Sequence, residues 1–306
     1  MRAVVFEEYG DPEVLKVQDV PEPHAGPGQV RIKVHAAGVN PYDTKIRRGF
    51  TKDFAPAKFP AIPGFEVAGV VDEAGDGAAF AVGEEVVGWS TGGSYAEYAL
   101  GGNVTRKPAG LGWEQAVGVP VAGETSQRVL DLLGVKSGET ILIHGAAGAV
   151  GSVAVQLAAA AGLTVIGTAS EANHDYLRSI GAIPVTYGEG LVERVREAAP
   201  QGVDAVIDTA GKGGLEESIE LRGGTDRIIT IADFAVGKLG IQTSGGGTGT
   251  PEEVRAALDA QLQAAADGKL TIRIAESFGL ADASKAQALS ESGHARGKIV
   301  VLPQAS

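Results

Sequence analysis

Residues 139–151 read ETILIHGAAGAVG: an apolar run closes on a histidine and passes at once into Gly145, Ala146, Ala147, Gly148, Ala149, Val150 and Gly151. Residues 139–144 predict a buried strand, and residues 150–161 (VGSVAVQLAAAA) an apolar helix. A glycine trio between strand and helix has a definite physical use. Gly148 lets backbone approach a pyrophosphate, and Gly151 lets the helix pack closely on the strand. The helix N-terminus then presents free N–H groups and the positive end of its dipole to the anion. The seven residues 145–151 are therefore a candidate phosphate cradle for a dinucleotide.

Outward from the cradle, strand and helix signals alternate. Strands at 164–169 (TVIGTA), 183–186, 205–208 (AVID) and 227–231 are separated by helices at 173–180, 191–199 and 215–220. That alternation predicts a doubly wound parallel sheet built from right-handed crossovers, an α/β fold. The strand after the cradle stops at Ser170. A carboxylate at that tip would hold the ribose 2′-hydroxyl of NAD and repel a 2′-phosphate, whereas a serine can hydrogen-bond to the phosphate. Asn173, His174 and Arg178 follow at the same corner, which favours NADPH as cofactor. Glu171 beside them points either way, and His174 and Arg178, each taken alone, read equally well as ordinary surface residues.

In the first hundred residues, before a change near Pro120, the texture differs. Residues 30–37 (VRIKVHAA), 65–73 (FEVAGVVDE) and 85–88 alternate apolar and polar positions, with Gly and Pro between them and little helical periodicity. They predict a β-rich, barrel-like unit, with helical segments beginning at 114–117 and 125–133. The tail ends in GKIVVL, apolar enough to return to that unit. The expected division is a substrate domain of residues 1–120 and 267–306 around a dinucleotide-binding domain of residues 121–266. Residues 240–250 (GIQTSGGGTGT) read as a loop over the substrate or as a plain connection, and a helix follows at 251–266.

Composition narrows the function classes. A net charge of −12 argues against nucleic acid, whose phosphates need a basic surface. No run of about 18 apolar residues suggests a membrane span. The opening MRAVVF is strand-like, with no charged-then-apolar leader, so a cytoplasmic protein is expected. There is no cysteine, which removes disulfides, thiolate catalysis and every Cys-ligated zinc site.

The motifs together resemble the medium-chain dehydrogenase/reductase superfamily, in its zinc-free quinone oxidoreductase (zeta-crystallin-like) branch. They are residues 38–43 (GVNPYD), 64–69 (GFEVAG), 82–88 (VGEEVVG), 93–98 (GSYAEY), the cradle and the ending 293–298 (GHARGK). The resemblance implies a GroES-like substrate domain, a Rossmann cofactor domain and a homodimer. Zinc-dependent relatives carry Cys where Asn40 stands and His where Phe65 stands, so alcohol oxidation through a Lewis acid is not expected. What remains is hydride delivery from NADPH to a small quinone or enone. By the same resemblance Asn40 lies near the nicotinamide, Thr125 faces the cofactor, Tyr187 lies beside the adenosine phosphate and Lys298 reaches the cofactor. A solvated surface lysine is the alternative for Lys298. Tyr42 reads as a proton donor to the reduced substrate or as a packing aromatic, and Asp43 and Glu66 as supports of loop geometry. Two other functions stay open: an NADPH-dependent enoyl reductase, and an NADPH-binding sensor without turnover.

Overall fold

The computed structural model describes residues 1–233, 236–246 and 249–305, which fall into two units: residues 1–120 with 250–306, and residues 121–249. Gly247 and Thr248 of the glycine-rich loop lie outside the described residues. In chain order the first unit begins with strands β1 (Arg2–Val5), β2 (Lys16–Asp19) and β3 (Val30–Val39), then helix α1 (Pro41–Arg47). Strands β4 (Glu66–Ala74), β5 (Glu85–Thr91) and β6 (Tyr98–Arg106) and helix α2 (Trp113–Val117) follow. Next come α3 (Pro120–Leu133), β7 (Thr140–His144), α4 (Ala149–Ala160), β8 (Thr164–Thr168) and α5 (His174–Ser179). After them lie β9 (Ala182–Val185), α6 (Leu191–Ala198), β10 (Ala205–Asp208), α7 (Leu215–Arg222), β11 (Ile228–Thr230) and β12 (Gln242–Thr243). The chain ends with α8 (Pro251–Ala266), β13 (Ile274–Gly279), α9 (Ala283–Ser292) and β14 (Lys298–Leu302).

In the first unit, β3 is the hub. It pairs antiparallel with β4 along one edge; along the other, Arg31–Lys33 face β6 and Ala37–Val39 face β14. The β3–β6 pairing, from Arg31–Lys33 to Tyr98–Leu100, closes strands β3 to β6 on themselves, so neither strand is an open edge over that stretch. The strand alternation follows the sequence: Val30, Ile32 and Val34 are buried in the core, and Arg31 and Lys33 point outward. Helix α1 has no counterpart in the expected elements. Its start signal is nonetheless local, with Pro41 in the first turn and the Asp43 carboxylate accepting from the Asn40 N–H at 2.8 Å.

Helix α8 stands with this unit, whereas the expected division at residue 266 placed it with the nucleotide-binding stretch. The physical reason is contact with β6: Asn103 donates to the Pro251 carbonyl at 3.1 Å, and Thr105 hydrogen-bonds to Asp259.

In the second unit six strands lie in the order β12-β11-β10-β7-β8-β9, all parallel. Strand β7 is buried on both sides, as its unbroken apolar run requires. Ile141 and Ile143 pack with α3, α4 and α5, while Leu142 packs with α6 and α7. Strand order reverses between β7 and β10, so the loop after β7 opens at the topological switch point, where such sheets bind ligands.

Candidate functional site

The cradle emerges from β7 into α4. Gly145 takes a positive φ of +70°, and a side chain there would meet Thr209 Oγ1 at 2.7 Å. A Cβ on Gly151 would stand 2.2 Å from the Gly145 carbonyl oxygen, an overlap only glycine avoids. A Cβ on Gly148 would meet the Gly145 carbonyl oxygen at 3.3 Å, a tight contact but no overlap, and Gly148 caps α4. The first N–H groups of α4 have no acceptor within the helix, so they are available to an anion together with the dipole. Ala146 and Ala147 are buried and belong to the core beneath; Ala149 and Val150 form the first turn. From the neighbouring helix, Ser126 donates to the Val150 carbonyl at 3.0 Å and fixes that turn. Two places before Ser126, Glu124 pairs with Arg128 at 2.8 Å. Thr125 is nearly buried on α3 and donates to Glu124 at 3.2 Å.

At the tip of β8, Asn173 donates its Nδ2–H to Ser170 Oγ at 3.1 Å, which leaves the serine proton free to be given elsewhere. His174 starts α5 with its Nε2 buried and, among the described residues, without a partner. Arg178 is turned to Asp175 at 2.7 Å in a pair open to water, the kind of ion pair worth little in itself. Tyr187 is exposed, and its carbonyl accepts from Arg194. Ser170 and Asn173 are thus joined by the structure, while Arg178 is bonded to Asp175 and the Tyr187 carbonyl to Arg194.

In the first unit the structure gathers Asn40 and Lys298, 258 residues apart, around a residue read only as loop support. Asn40 donates from Nδ2 to Glu66 at 2.8 Å and accepts from Lys298 Nζ at 2.8 Å, while Lys298 and Glu66 form a close ion pair. All three are buried, Lys298 to 1% exposure, so it is neither a solvated lysine nor an ammonium open to water. The same network takes in Asp43, which accepts from the Asn40 N–H and from the Tyr95 hydroxyl at 3.1 Å. Burial pushes the Asp43 carboxyl up to about 7 and raises the Tyr95 phenol. Tyr42 lies outside this cluster, 42% exposed, its ring tilted against Phe65 at 5.4 Å. Sequence reading did not find Tyr95, Arg47 or Gln287. Each is fully buried, and Arg47 donates to Gln287 at 2.7 Å. Tyr95 stood in the sequence only as part of the motif at 93–98, and Arg47 and Gln287 lie in polar stretches where no local signal marks burial.

Comparison with known proteins agrees with this picture. Residues 26–130 match the family model of the alcohol dehydrogenase GroES-like domain, and residues 180–301 match that of the zinc-binding dehydrogenases. The rat quinone oxidoreductase is 38% identical over 76% of this chain and 73% of its own length. A chloroplastic quinone oxidoreductase of Triphysaria versicolor is 33% identical over 99% of this chain and 98% of its own. The crystal structure of Escherichia coli quinone oxidoreductase complexed with NADPH superposes with a TM-score of 0.89 at 26% identity, covering 99% of this chain and 100% of that one. The zinc in the second model's description finds no ligand set here. The chain has no cysteine, and among the described residues no three His, Asp or Glu side chains converge as metal ligands. By these matches, its GroES-like and Rossmann units and its glycine cradle, the chain belongs to the quinone oxidoreductase branch of the medium-chain dehydrogenase/reductase superfamily.

Proposed function

We propose that the protein is an NADPH-dependent, zinc-independent oxidoreductase that delivers hydride to a quinone. The observation that carries the reading is the cradle: Gly151, where any side chain would overlap the Gly145 carbonyl, brings the first turn of α4 hard against the end of β7. Its N–H groups then meet a pyrophosphate without side chains in between. When bound, NADPH supplies the hydride, and the protein's part is binding, orientation and exclusion of water. In this reading residues 145–151 hold the pyrophosphate. Ser170, steadied by Asn173, gives its proton to the 2′-phosphate, and His174 offers its buried Nε2. Arg178 exchanges its exposed bond to Asp175 for the phosphate, and Tyr187 borders the adenosine side. Thr125 faces the cofactor, and Asn40 does so from a side chain held by Glu66 and Lys298, so that Lys298 acts through Asn40. Tyr42 gives a proton to the reduced quinone. The nucleotide domain is residues 121–249, and the remainder is the substrate domain. Placement in the cytoplasm and assembly as a homodimer complete the proposal; the dimer rests on family resemblance alone.

The test is NADPH and NADH oxidation by the purified protein against a panel of quinones and enones. Quinone turnover with NADPH preferred over NADH is the expected result. Turnover of enones alone would replace the quinone with an activated double bond, and NADPH binding without turnover would make the chain a sensor.

A further inference from the structure

The four central strands of the parallel sheet each end on a buried polar residue: Thr168 on β8, His144 on β7, Asp208 on β10 and Thr230 on β11. Strand register puts Asp208 directly between His144 and Thr230. None of the four is more than 3% exposed, so none of them can be a surface contact for the cofactor.

Their hydrogen bonds have a determined direction. Ser218 gives its proton to the Gly214 carbonyl at 2.5 Å, so at its 2.8 Å contact with His144 it can only accept. His144 therefore carries its proton on Nε2, and its bare Nδ1 accepts from the Thr168 hydroxyl at 3.4 Å. Thr168 in turn accepts from the Gly145 N–H at 3.3 Å, the first residue of the cradle. On the other side, Asp208 Oδ1 accepts from the N–H groups of Ala210 and Gly211 at 2.9 and 3.0 Å. Its Oδ2 accepts from the Thr230 hydroxyl at 2.7 Å, and Thr230 Oγ1 accepts from the Ala232 and Asp233 N–H groups at 3.2 and 3.1 Å. Thr209 ties the two halves, donating to the His144 carbonyl at 2.7 Å. Each loop on the ligand-binding edge after β7, β10 and β11 is thus held by a backbone N–H aimed down into this layer.

The structure assigns to His144, Thr168, Asp208 and Thr230 the role of positioning residues for the cofactor: they set the loops that hold it while touching none of it. The assignment rests on the reading of residues 145–151 as the nucleotide cradle. A buried layer of this kind is strict about proton direction, because each hydroxyl has one proton and its acceptor is fixed. Asp208→Asn keeps an oxygen for Ala210 and Gly211 but turns an N–H toward Thr230 Oγ1, whose own proton then has no acceptor. Thr230→Val removes the same bond from the other end. His144→Gln keeps a donor for Ser218 and replaces the ring nitrogen that accepts from Thr168 with an amide oxygen at a different position.

The experiment is fluorescence titration of the whole protein with NADPH, with amide hydrogen exchange on the same samples. Asp208→Asn and Thr230→Val should each raise the Kd about tenfold, the worth of one hydrogen bond, and the double variant little more. The KM for NADPH should rise in step, with kcat at saturation kept within about twofold. Exchange should quicken at residues 232 and 233, and with His144→Gln at Gly145, while the rest of the sheet keeps its protection. Quickened exchange at those amides with an unchanged Kd in both Asp208→Asn and His144→Gln would overturn the inference and leave the functional reading standing. A wild-type protein that binds no NADPH would overturn both.

Discussion

Each unit buries a polar system, and the two are built in opposite ways. In the second unit it is a layer of strand-end residues, mostly hydroxyls and an imidazole, and its bonds run to loop backbone. In the first unit it is a knot of charges: Lys298, Glu66, Asp43 and, farther along, Arg47 with Glu291. The difference teaches what each does for its unit. The layer fixes backbone at a sheet edge, and each member can lose its bond while the strands beneath stay apolar and packed. The knot joins the end of β3, the start of β4 and the start of β14, elements that share no short connection, and its charges neutralise one another only while all are present. Breaking a buried pair by removing one partner is costly, because the other charge is left alone in a low dielectric.

The largest effect should therefore come from the knot. Lys298→Met removes the cation that faces Glu66 and Asn40 and leaves a carboxylate that is 0% exposed. A loss of about 3–5 kcal/mol in stability is expected, measured by urea unfolding with unchanged m-value. A loss below about 1 kcal/mol would mean the knot contributes no more than a surface pair, and the contrast between the units would fail.

The two systems also differ in how far they could be read in advance. The parallel sheet, the cradle and the serine at the β8 tip follow from local pattern: period, glycine spacing and the residue at a strand end. The knot does not, because its members lie at 40, 43, 66 and 298, and no local period links them. Lys298 read as a cofactor contact or a solvated lysine, and burial against Glu66 is a fact of β14 pairing with β3. Helix α1 sits between these cases. The stretch Asn40-Pro41-Tyr42-Asp43 carries a helix-start signal, but seven residues are too few for periodicity to show. His144 and Asp208 close the strands read at 139–144 and 205–208, and Thr230 lies one place inside the strand read at 227–231, yet which loop each would hold depends on strand order, which pattern alone does not supply.

Acid and base should separate the systems next. Asp43 is buried, and its carboxyl is pushed up to about 7, first by desolvation and then by the nearby Glu66, against the Asn40 N–H, Lys298 and Tyr95. A carboxyl that holds its proton to about pH 7 when folded, and to only 3.8 when unfolded, stabilises the fold fully below 3.8. That contribution is lost as the pH rises to about 7, a change on the order of 4 kcal/mol over the window. Asp43→Asn, neutral at every pH, should flatten this slope whatever it does to absolute stability. An equal slope in the variant would take Asp43 out of the account.

His144 should show the opposite sign and the smallest effect of the three. Its pKa is lowered from 6.5, chiefly by desolvation, with Asp208 and Glu217 pulling the other way. The folded state therefore resists a proton that the unfolded chain accepts below pH 6.5. The neutral imidazole's contribution is present above 6.5 and is lost as the pH falls through the lowered folded value. Protonation also puts a second N–H against the Thr168 hydroxyl, so the bond that fails is the one Thr168 donates to Nδ1, and the oxygen that holds the Gly145 N–H must accept a second donor. The stability difference between wild type and His144→Gln should thus shrink as the pH is lowered, while that between wild type and Asp43→Asn grows in favour of the wild type. Observing both trends in one set of unfolding curves requires two separately titrating groups, one in each unit. If both variants shifted the same limb, the charge knot and the strand-end layer would have to be read as a single coupled system, and the division of labour between the units would fall.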